Sequence, residues 1–165
     1  MIVVTGHRKI NKSAIYPKLF KSFDHLKNNR GHNEIYIGMA KGFDMVACEA
    51  AMAADLKIHA CIPYLGHWLK RSDQKEYFKI LAHPDTEIHL ISSDPYTKGA
   101  LFKRNIWKVE QGDPDKDIMI AGYRKSIFDK RNSSGTGHTV GQARTAKYEN
   151  IHCLDPDTLK WWKPQ

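Results

Sequence analysis

Short apolar runs alternate along this chain with longer segments in which apolar residues recur every three or four positions. The short runs predict six β-strands, over residues 2–5, 34–38, 57–63, 87–92, 117–121 and 151–154. The longer segments predict helices over residues 13–27, 43–55, 70–82, 96–110 and about 138–148. Strands that alternate with helices are typical of βαβ units. We therefore expect a single three-layer α/β domain over residues 1–165, with a mostly parallel sheet of about six strands.

The composition indicates a globular protein and excludes several other classes. Of the 165 residues, 41% are hydrophobic and 27% are charged, which argues against disorder. No apolar run approaches the ~20 residues that span a bilayer, and the apolar N-terminal stretch is too short for a signal peptide. We therefore expect a cytoplasmic protein with no membrane partner. The three cysteines lack a C-x-x-C motif and the nine histidines lack metal-ligand spacing, so we predict no disulfide, no metal site and no cofactor.

The charge is unusual and uneven. Lys and Arg number 26 and Asp and Glu 18, which gives a net charge of +8. Residues 1–30 carry seven basic and one acidic side chain, and residues 98–131 carry nine and five, whereas residues 32–97 carry six and nine. Such clustering favours an anionic partner, that is, a nucleotide, a nucleic acid or an acidic protein. The alternative is that the charge serves only solubility.

Ligands of this fold class bind at the carboxyl ends of strands, and suitable residues follow the first two. The first is followed by Thr5, Gly6, His7 and Arg8. A glycine there lets the backbone approach a ligand and an arginine fork suits phosphate, although a tight turn explains the segment equally well. The second is followed by Gly38, Met39, Ala40 and Gly42, ahead of a helix start whose free N–H groups favour an anion.

Two carboxylates on the helix over 43–55 are candidates for catalysis. Asp44 lies in the first turn, where the helix dipole favours a carboxylate whatever its function. Glu49 lies among alanines in a helix that we expect to be largely buried, and a buried glutamate needs a partner or a raised pKa. We therefore predict Glu49 as the better candidate. Five residues along a helix place the two side chains on different faces, so they are not a pair.

Later segments add candidates for contacts to a base and to phosphate. Tyr64 and Trp68 follow the third strand and could stack on a base, or they cover the edge of the core. Arg104 and Asn105 lie on the helix over 96–110 and could reach a phosphate or ribose, or they form a solvated helix face.

The most informative segment follows the fifth strand and is rich in small and hydroxyl residues. It predicts a phosphate-binding loop, with a helix-capping turn as the alternative. The segment lacks the G-K-[ST] of a Walker A loop and the spacing of G-x-G-x-x-G. Its candidate ligands are Ser134, Gly135, Thr136, Gly137 and Thr139.

Taken in order, these motifs resemble the YpsA/DUF1273 group of the SLOG superfamily, whose members are Rossmann-like and include the LOG phosphoribohydrolases and DprA. The resemblance spans about residues 1–156. It is carried by V-T-G-H-R at 4–8, I-G-M-A-K-G-F-D at 37–44 with Glu49, I-P-Y at 62–64, R-N-I-W at 104–107, D-I-M-I-A at 117–121 and S-G-T at 134–136. It implies a nucleotide or nucleotide-derived ligand over the strand ends and, because SLOG proteins often pair, a homodimer. The basic segment over 123–133 is expected to form a flap over that ligand.

Three functions are compatible with these residues. The first is an enzyme that cleaves or transfers the N-glycosidic bond of a nucleotide, with Glu49 or Asp44 near the sugar. The second is a non-catalytic sensor or sequestering protein for a nucleotide signal. It is favoured because the glutamate that follows the glycine-rich loop in LOG enzymes is absent here. The third is DprA-like binding of nucleic acid, driven by the positive charge, which ranks last because no helix-turn-helix pattern is present.

Overall fold

A computed structural model describes residues 1–128 and 134–164 and contains an α/β sheet structure. Its strands are β1 (Ile2–Gly6), β2 (Glu34–Ile37), β3 (Lys57–Ile62), β4 (Thr86–Leu90), β5 (Ile118–Gly122), β6 (Asn150–Leu154) and β7 (Trp161–Trp162). Its helices are α1 (Lys12–Arg30), α2 (Phe43–Ala53), α3 (Gln74–Leu81), α4 (Lys98–Glu110) and α5 (Gly135–Thr145), with a short 3₁₀ helix at Lys125–Ile127.

The sheet confirms the predicted fold class and adds one strand to the predicted six. The strand order is β4-β3-β2-β1-β5-β6-β7. The first six strands run parallel, and β7 pairs antiparallel with β6 through Leu154 and Trp161. A parallel sheet requires a crossover between successive strands, and the predicted helices provide these crossovers.

Alternate residues of the central strands belong to two hydrophobic cores on opposite faces of the sheet. Val4 of β1 packs in the larger core, with the apolar sides of α1, α2 and α3. Val3, its neighbour, packs in the smaller core with Val109 of α4 and Val140 of α5. The strands are therefore apolar on both faces, as expected for a sheet covered by helices on both sides.

The strand order reverses beside β1, and this reversal positions the site. The chain extends from β1 through β2, β3 and β4 to one edge, then returns to place β5 on the other side of β1. Crevices at such switch points, outside the carboxyl ends of the strands, are where doubly wound sheets bind ligands. Gly6 ends β1 and pairs with Gly122 at the end of β5. A side chain at either glycine would collide with the Phe43 ring, so both must stay small.

One predicted boundary is wrong in a way that affects the site. We expected a loop through residue 137 and a helix from about 138, but α5 begins at Gly135. The Ser134 hydroxyl accepts a hydrogen bond from the Gly137 amide at 3.1 Å and thereby caps the helix. The glycine-rich residues are therefore the first turn of α5. Within the described part of the chain, no helix combines the length and hydropathy needed to cross a bilayer.

Candidate functional site

A cavity of about 290 Å³ lies at the switch point and brings together residues from four of the segments that the sequence singled out, namely 5–8, 38–44, 104–105 and 134–139. It lies between the ends of β1 and β2, the middle of α4 and the first turn of α5. Its walls are Thr5, Gly6, His7, Arg8, Ala40, Asp44, Leu101, Phe102, Arg104, Asn105, Ser134, Gly135 and Thr136.

Asp44 is a buried carboxylate with one unused oxygen. Its side chain is 2% exposed, and Oδ2 accepts a hydrogen bond from the Ala40 amide at 3.2 Å. Oδ1 has no hydrogen-bond partner among the residues that the structure describes. A buried carboxylate oxygen without a donor is costly, and Asp44 lines the cavity. The oxygen is therefore a candidate acceptor for a hydrogen bond from a ligand.

Arg104 and Asn105 are buried and tie α4 to both sides of the cavity. The guanidinium of Arg104 donates to the carbonyl of Gly38 and, at 2.9 Å, to the side-chain oxygen of Asn105. The amide of Asn105 in turn donates to the carbonyl of Gly135 at 3.3 Å. Burial lowers the pKa of Arg104, and the nearby Asp44 carboxylate opposes that shift. These two residues chiefly fix the cavity walls in position.

Arg8 is the exposed cation of the cavity. Its guanidinium makes no ion pair or side-chain hydrogen bond with the described residues, and the side chain is exposed at the mouth. His7 beside it is half-buried, and its Nε2 accepts from the Arg124 amide at 3.3 Å. Burial, and then the charge of Arg124, lower the pKa of His7. His7 therefore accepts a hydrogen bond through Nε2, and Arg8 supplies the exposed positive charge of the cavity.

The remaining predicted ligand residues support the cavity from behind. Gly42 precedes α2 with φ +85°, a conformation that favours glycine, and a side chain there would collide with the Arg8 backbone. Met39 is fully buried with φ 58°. Thr139 donates to the Gly135 carbonyl at 2.9 Å and accepts from the Thr5 hydroxyl at 3.4 Å, which links α5 to β1.

Three predicted residues lie elsewhere. Glu49 is exposed, so the expectation that it is buried is wrong. The buried side of α2 is made by its neighbours, including Cys48 and Ala50, and Glu49 points away from the core. Neither Tyr64 nor Trp68 lines the cavity. The Tyr64 ring packs against the Tyr96 ring with centroids 5.3 Å apart, and Trp68 packs against the larger core.

The cavity has an aromatic wall that the sequence interpretation missed. Phe102 lines it and packs against His138, with ring centroids 4.5 Å apart and ring planes tilted by 51°. Leu101 lies beside it, one helical turn before Asn105. This i, i+4 spacing to a predicted site residue was the sequence signal from which the wall could have been predicted.

The basic segment over 123–133 is described only in part, since residues 129–133 lie outside the described residues. Arg124 pairs with Asp157 at 2.7 Å.

The fold resembles that of a known DNA processing protein. The structure of DNA processing protein A (DprA) from Streptococcus pneumoniae superposes with a TM-score of 0.65 at 18% sequence identity. The match covers 93% of this chain and 50% of that protein, so this chain spans about half of its length. The sequence matches no protein-family model and no curated protein. The Rossmann-like fold shared with DprA is therefore what the comparison shows.

Proposed function

We propose that this chain is a SLOG-type protein of the YpsA/DUF1273-like group and binds a nucleotide or nucleotide-derived ligand in the switch-point cavity. The observation that carries the proposal is the unused, buried Oδ1 of Asp44, in a cavity that also holds the exposed guanidinium of Arg8. A nucleotide offers a matching pair of groups, because its ribose hydroxyls donate hydrogen bonds and its phosphate is an anion.

The phosphate has a suitable place at the first turn of α5. The cap of Ser134 satisfies the Gly137 amide, and the amide of His138 bonds the Ser134 carbonyl. The amides of Gly135 and Thr136 come earlier in the turn, where helix N–H groups have no partner inside the helix. With Arg8 at the same cavity, these amides form an anion site of the kind found at helix N-termini.

The volume and the aromatic wall limit the ligand. A cavity of about 290 Å³ is at the small end of pockets for small molecules, which are roughly 300–1,000 Å³. This size favours a mononucleotide over a dinucleotide. Phe102, in place of the predicted Tyr64 and Trp68, offers a ring on which a base can pack.

The same geometry bears on catalysis. Of the two predicted carboxylates, Asp44 lines the cavity and Glu49 does not. If the chain cleaves an N-glycosidic bond, Asp44 is the group that stabilises the positive charge developing on the sugar. Without cleavage, the same contacts serve a sensor or sequestering protein.

The test is incubation of the pure protein with a defined nucleotide mixture, followed by mass spectrometry of the filtrate and of the denatured protein. Free base in the filtrate would establish an N-glycosidase, and an intact nucleotide recovered from the protein would establish a binder. The proposal would be contradicted if mono- and diphosphates of all bases gave no free base in the filtrate and no nucleotide bound to the protein.

Variants then locate the binding. We expect Asp44→Asn and Arg8→Gln each to weaken nucleotide binding about ten-fold or more, because charge-assisted hydrogen bonds contribute roughly 1.5–3 kcal/mol. Glu49→Gln is the matched control, since it removes one carboxylate from the same helix but outside the cavity. Equal loss in Glu49→Gln would place the ligand elsewhere.

A second candidate function, nucleic-acid binding, is favoured by a separate groove. The groove has a volume of about 620 Å³ and lies between α1 and strands β5, β6 and β7. Its walls include the basic residues Lys18, Lys21, Arg30 and Lys116, with the histidines His25, His32 and His152 and with Trp161. No acidic side chain lines it among the described residues. The structural neighbour is itself named a DNA processing protein, and a basic groove with an aromatic side chain suits a single strand.

A further inference from the structure

We propose that His59, Glu87 and His89 form a binding site for a divalent transition metal of the zinc class. The three side chains lie on one face of the sheet because of the register of β3 and β4. His59 pairs with Glu87 across the two strands, and His89 follows two residues after Glu87 on the same face. None of the three lines the switch-point cavity or the basic groove.

The distances between the donor atoms match the requirements of one ion. His59 Nδ1 lies 2.9 Å from His89 Nε2, a hydrogen bond that an ion between the two nitrogens would replace. His59 Nδ1 lies 3.8 Å from Glu87 Oε2, and His89 Nε2 lies 3.5 Å from Glu87 Oε1. Tetrahedral ligands at zinc bond lengths of about 2.0–2.2 Å are separated by roughly 3.3 Å. One ion can therefore contact all three residues after adjustments of a few tenths of an ångström.

A second observation concerns the other nitrogen of the His59 ring, which faces away from Glu87 and His89. His59 is 4% exposed, and its Nε2 is buried without a hydrogen-bond partner among the described residues. The nearest carboxylate to that atom is Glu34 Oε2, at 3.7 Å. A metal on Nδ1 would fix the proton on Nε2, where Glu34 can close in and accept it. This is the carboxylate–histidine–metal arrangement that orients metal ligands.

Neighbouring rings hold the histidines in place. Tyr36 stacks on His59 with ring centroids 4.1 Å apart and planes 5° apart. Trp107 packs against His89 with ring centroids 5.0 Å apart. Two imidazoles and one carboxylate favour zinc and similar transition metals over magnesium or calcium. Glu87 is half-exposed, so an ion can enter from solvent and a fourth position stays open for water.

Lys57 competes for the same carboxylate. Its ammonium contacts Glu87 Oε2 at 2.8 Å, and a bound metal must displace it or share the oxygen. Removing this cation should therefore tighten metal binding. A cluster that serves only to stabilise the fold would lose a salt bridge and gain nothing.

The experiment titrates zinc into the full chain, after chelator stripping, in competition with a chromophoric chelator. We expect one site in the wild type, at least about ten-fold weaker binding in His89→Gln, and several-fold tighter binding in Lys57→Met. His83→Gln is the control, because it removes a histidine that lies outside the cluster, the cavity and the groove. Cobalt in place of zinc should give the visible absorption of a tetrahedral centre in the wild type.

Glu34→Gln provides a variant that leaves the ligands in place. Loss of an outer carboxylate of this kind typically lowers metal affinity 10–100-fold, and the same range is expected here. It also keeps the proposal decidable if His89→Gln fails to fold. Equal zinc affinity in the wild type, His89→Gln and Glu34→Gln, or no tightening in Lys57→Met, would overturn the assignment.

Discussion

Lys108 shows how one buried residue makes the stability of the fold depend on pH. It is fully buried on α4 behind the cavity, and its ammonium donates to the Val4 carbonyl. Burial lowers its pKa from 10.5 to about 8. The unfolded lysine therefore holds its proton between about pH 8 and 10.5 while the folded one releases it, and stability from this group rises with pH over that window.

Replacing Lys108 by Met should remove this rise. We expect the free energy of unfolding of the wild type, relative to Lys108→Met, to increase by up to roughly 3 kcal/mol between pH 7 and pH 10.5. Urea unfolding of both proteins across that range measures the difference. The comparison cancels groups common to both, such as Tyr148, whose pKa burial raises to about 12. Parallel pH profiles would show that Lys108 is not charged and desolvated in the fold.

Asp44 and Glu49 show what could be predicted for single residues. Sequence position identified Asp44 as a first-turn carboxylate and Glu49 as a residue among alanines. The rotation of α2 about its axis decides which of them is buried. That rotation is set by packing against α1 and the sheet, and nearly every position of α2 is apolar, so the sequence carried little information about it. The cavity could therefore be predicted from the strand ends, but not which carboxylate lines it.

A change at the N-terminus of α5 should alter both the stability of the protein and its affinity for a nucleotide. The Ser134 cap holds the turn that we assign to phosphate. Ser134→Ala should lower the free energy of unfolding by about 1 kcal/mol and also weaken nucleotide binding several-fold. Asn11→Ala is the matched control. It removes the cap of α1, where Asn11 accepts from the Ala14 amide at 3.3 Å, and α1 does not line the cavity.

Denaturant unfolding and calorimetric titration with a mononucleotide check this pair of variants. Both variants should lose similar stability, while binding weakens in Ser134→Ala alone. A fall in affinity of the same size in Asn11→Ala would mean that affinity follows overall stability, not the α5 turn.

The elements themselves were largely predictable. Buried strands carry continuous apolar runs and the helices show their period, so six strands and five helices were expected, and all are present. The seventh strand was not predicted, because Trp161–Trp162 is only two residues long and forms a strand through its pairing with β6. The start of α5 was predicted too late because glycine is a poor helix former. The Ser134 cap outweighs the low helix propensity of the glycines in the first turn.

At the scale of the whole molecule, the uneven charge becomes a localised surface. The sequence predicted an excess of basic residues in 1–30. The fold brings Lys18, Lys21 and Arg30 of α1 beside Lys116, more than eighty residues later in the chain. Lys116 lies just before β5, His32 just before β2, and Asn150 begins β6, so the groove extends toward the amino ends of the strands. The cavity lies at their carboxyl ends. The two candidate sites are therefore separate, and variants of one should leave the other intact.

Salt dependence distinguishes a specific groove from net charge. If a single strand lies in the groove, the slope of log K against log salt is about −0.7 for each phosphate neutralised. The double variant Lys18→Gln with Lys21→Gln should therefore make the slope less steep by about 1.4, measured with a labelled oligonucleotide. Lys75→Gln with Lys79→Gln removes the same charge from exposed positions on α3 and should change the slope little. Equal changes in both double variants would mean that the oligonucleotide responds to net charge, in which case the cavity alone would remain as a specific site for an anion.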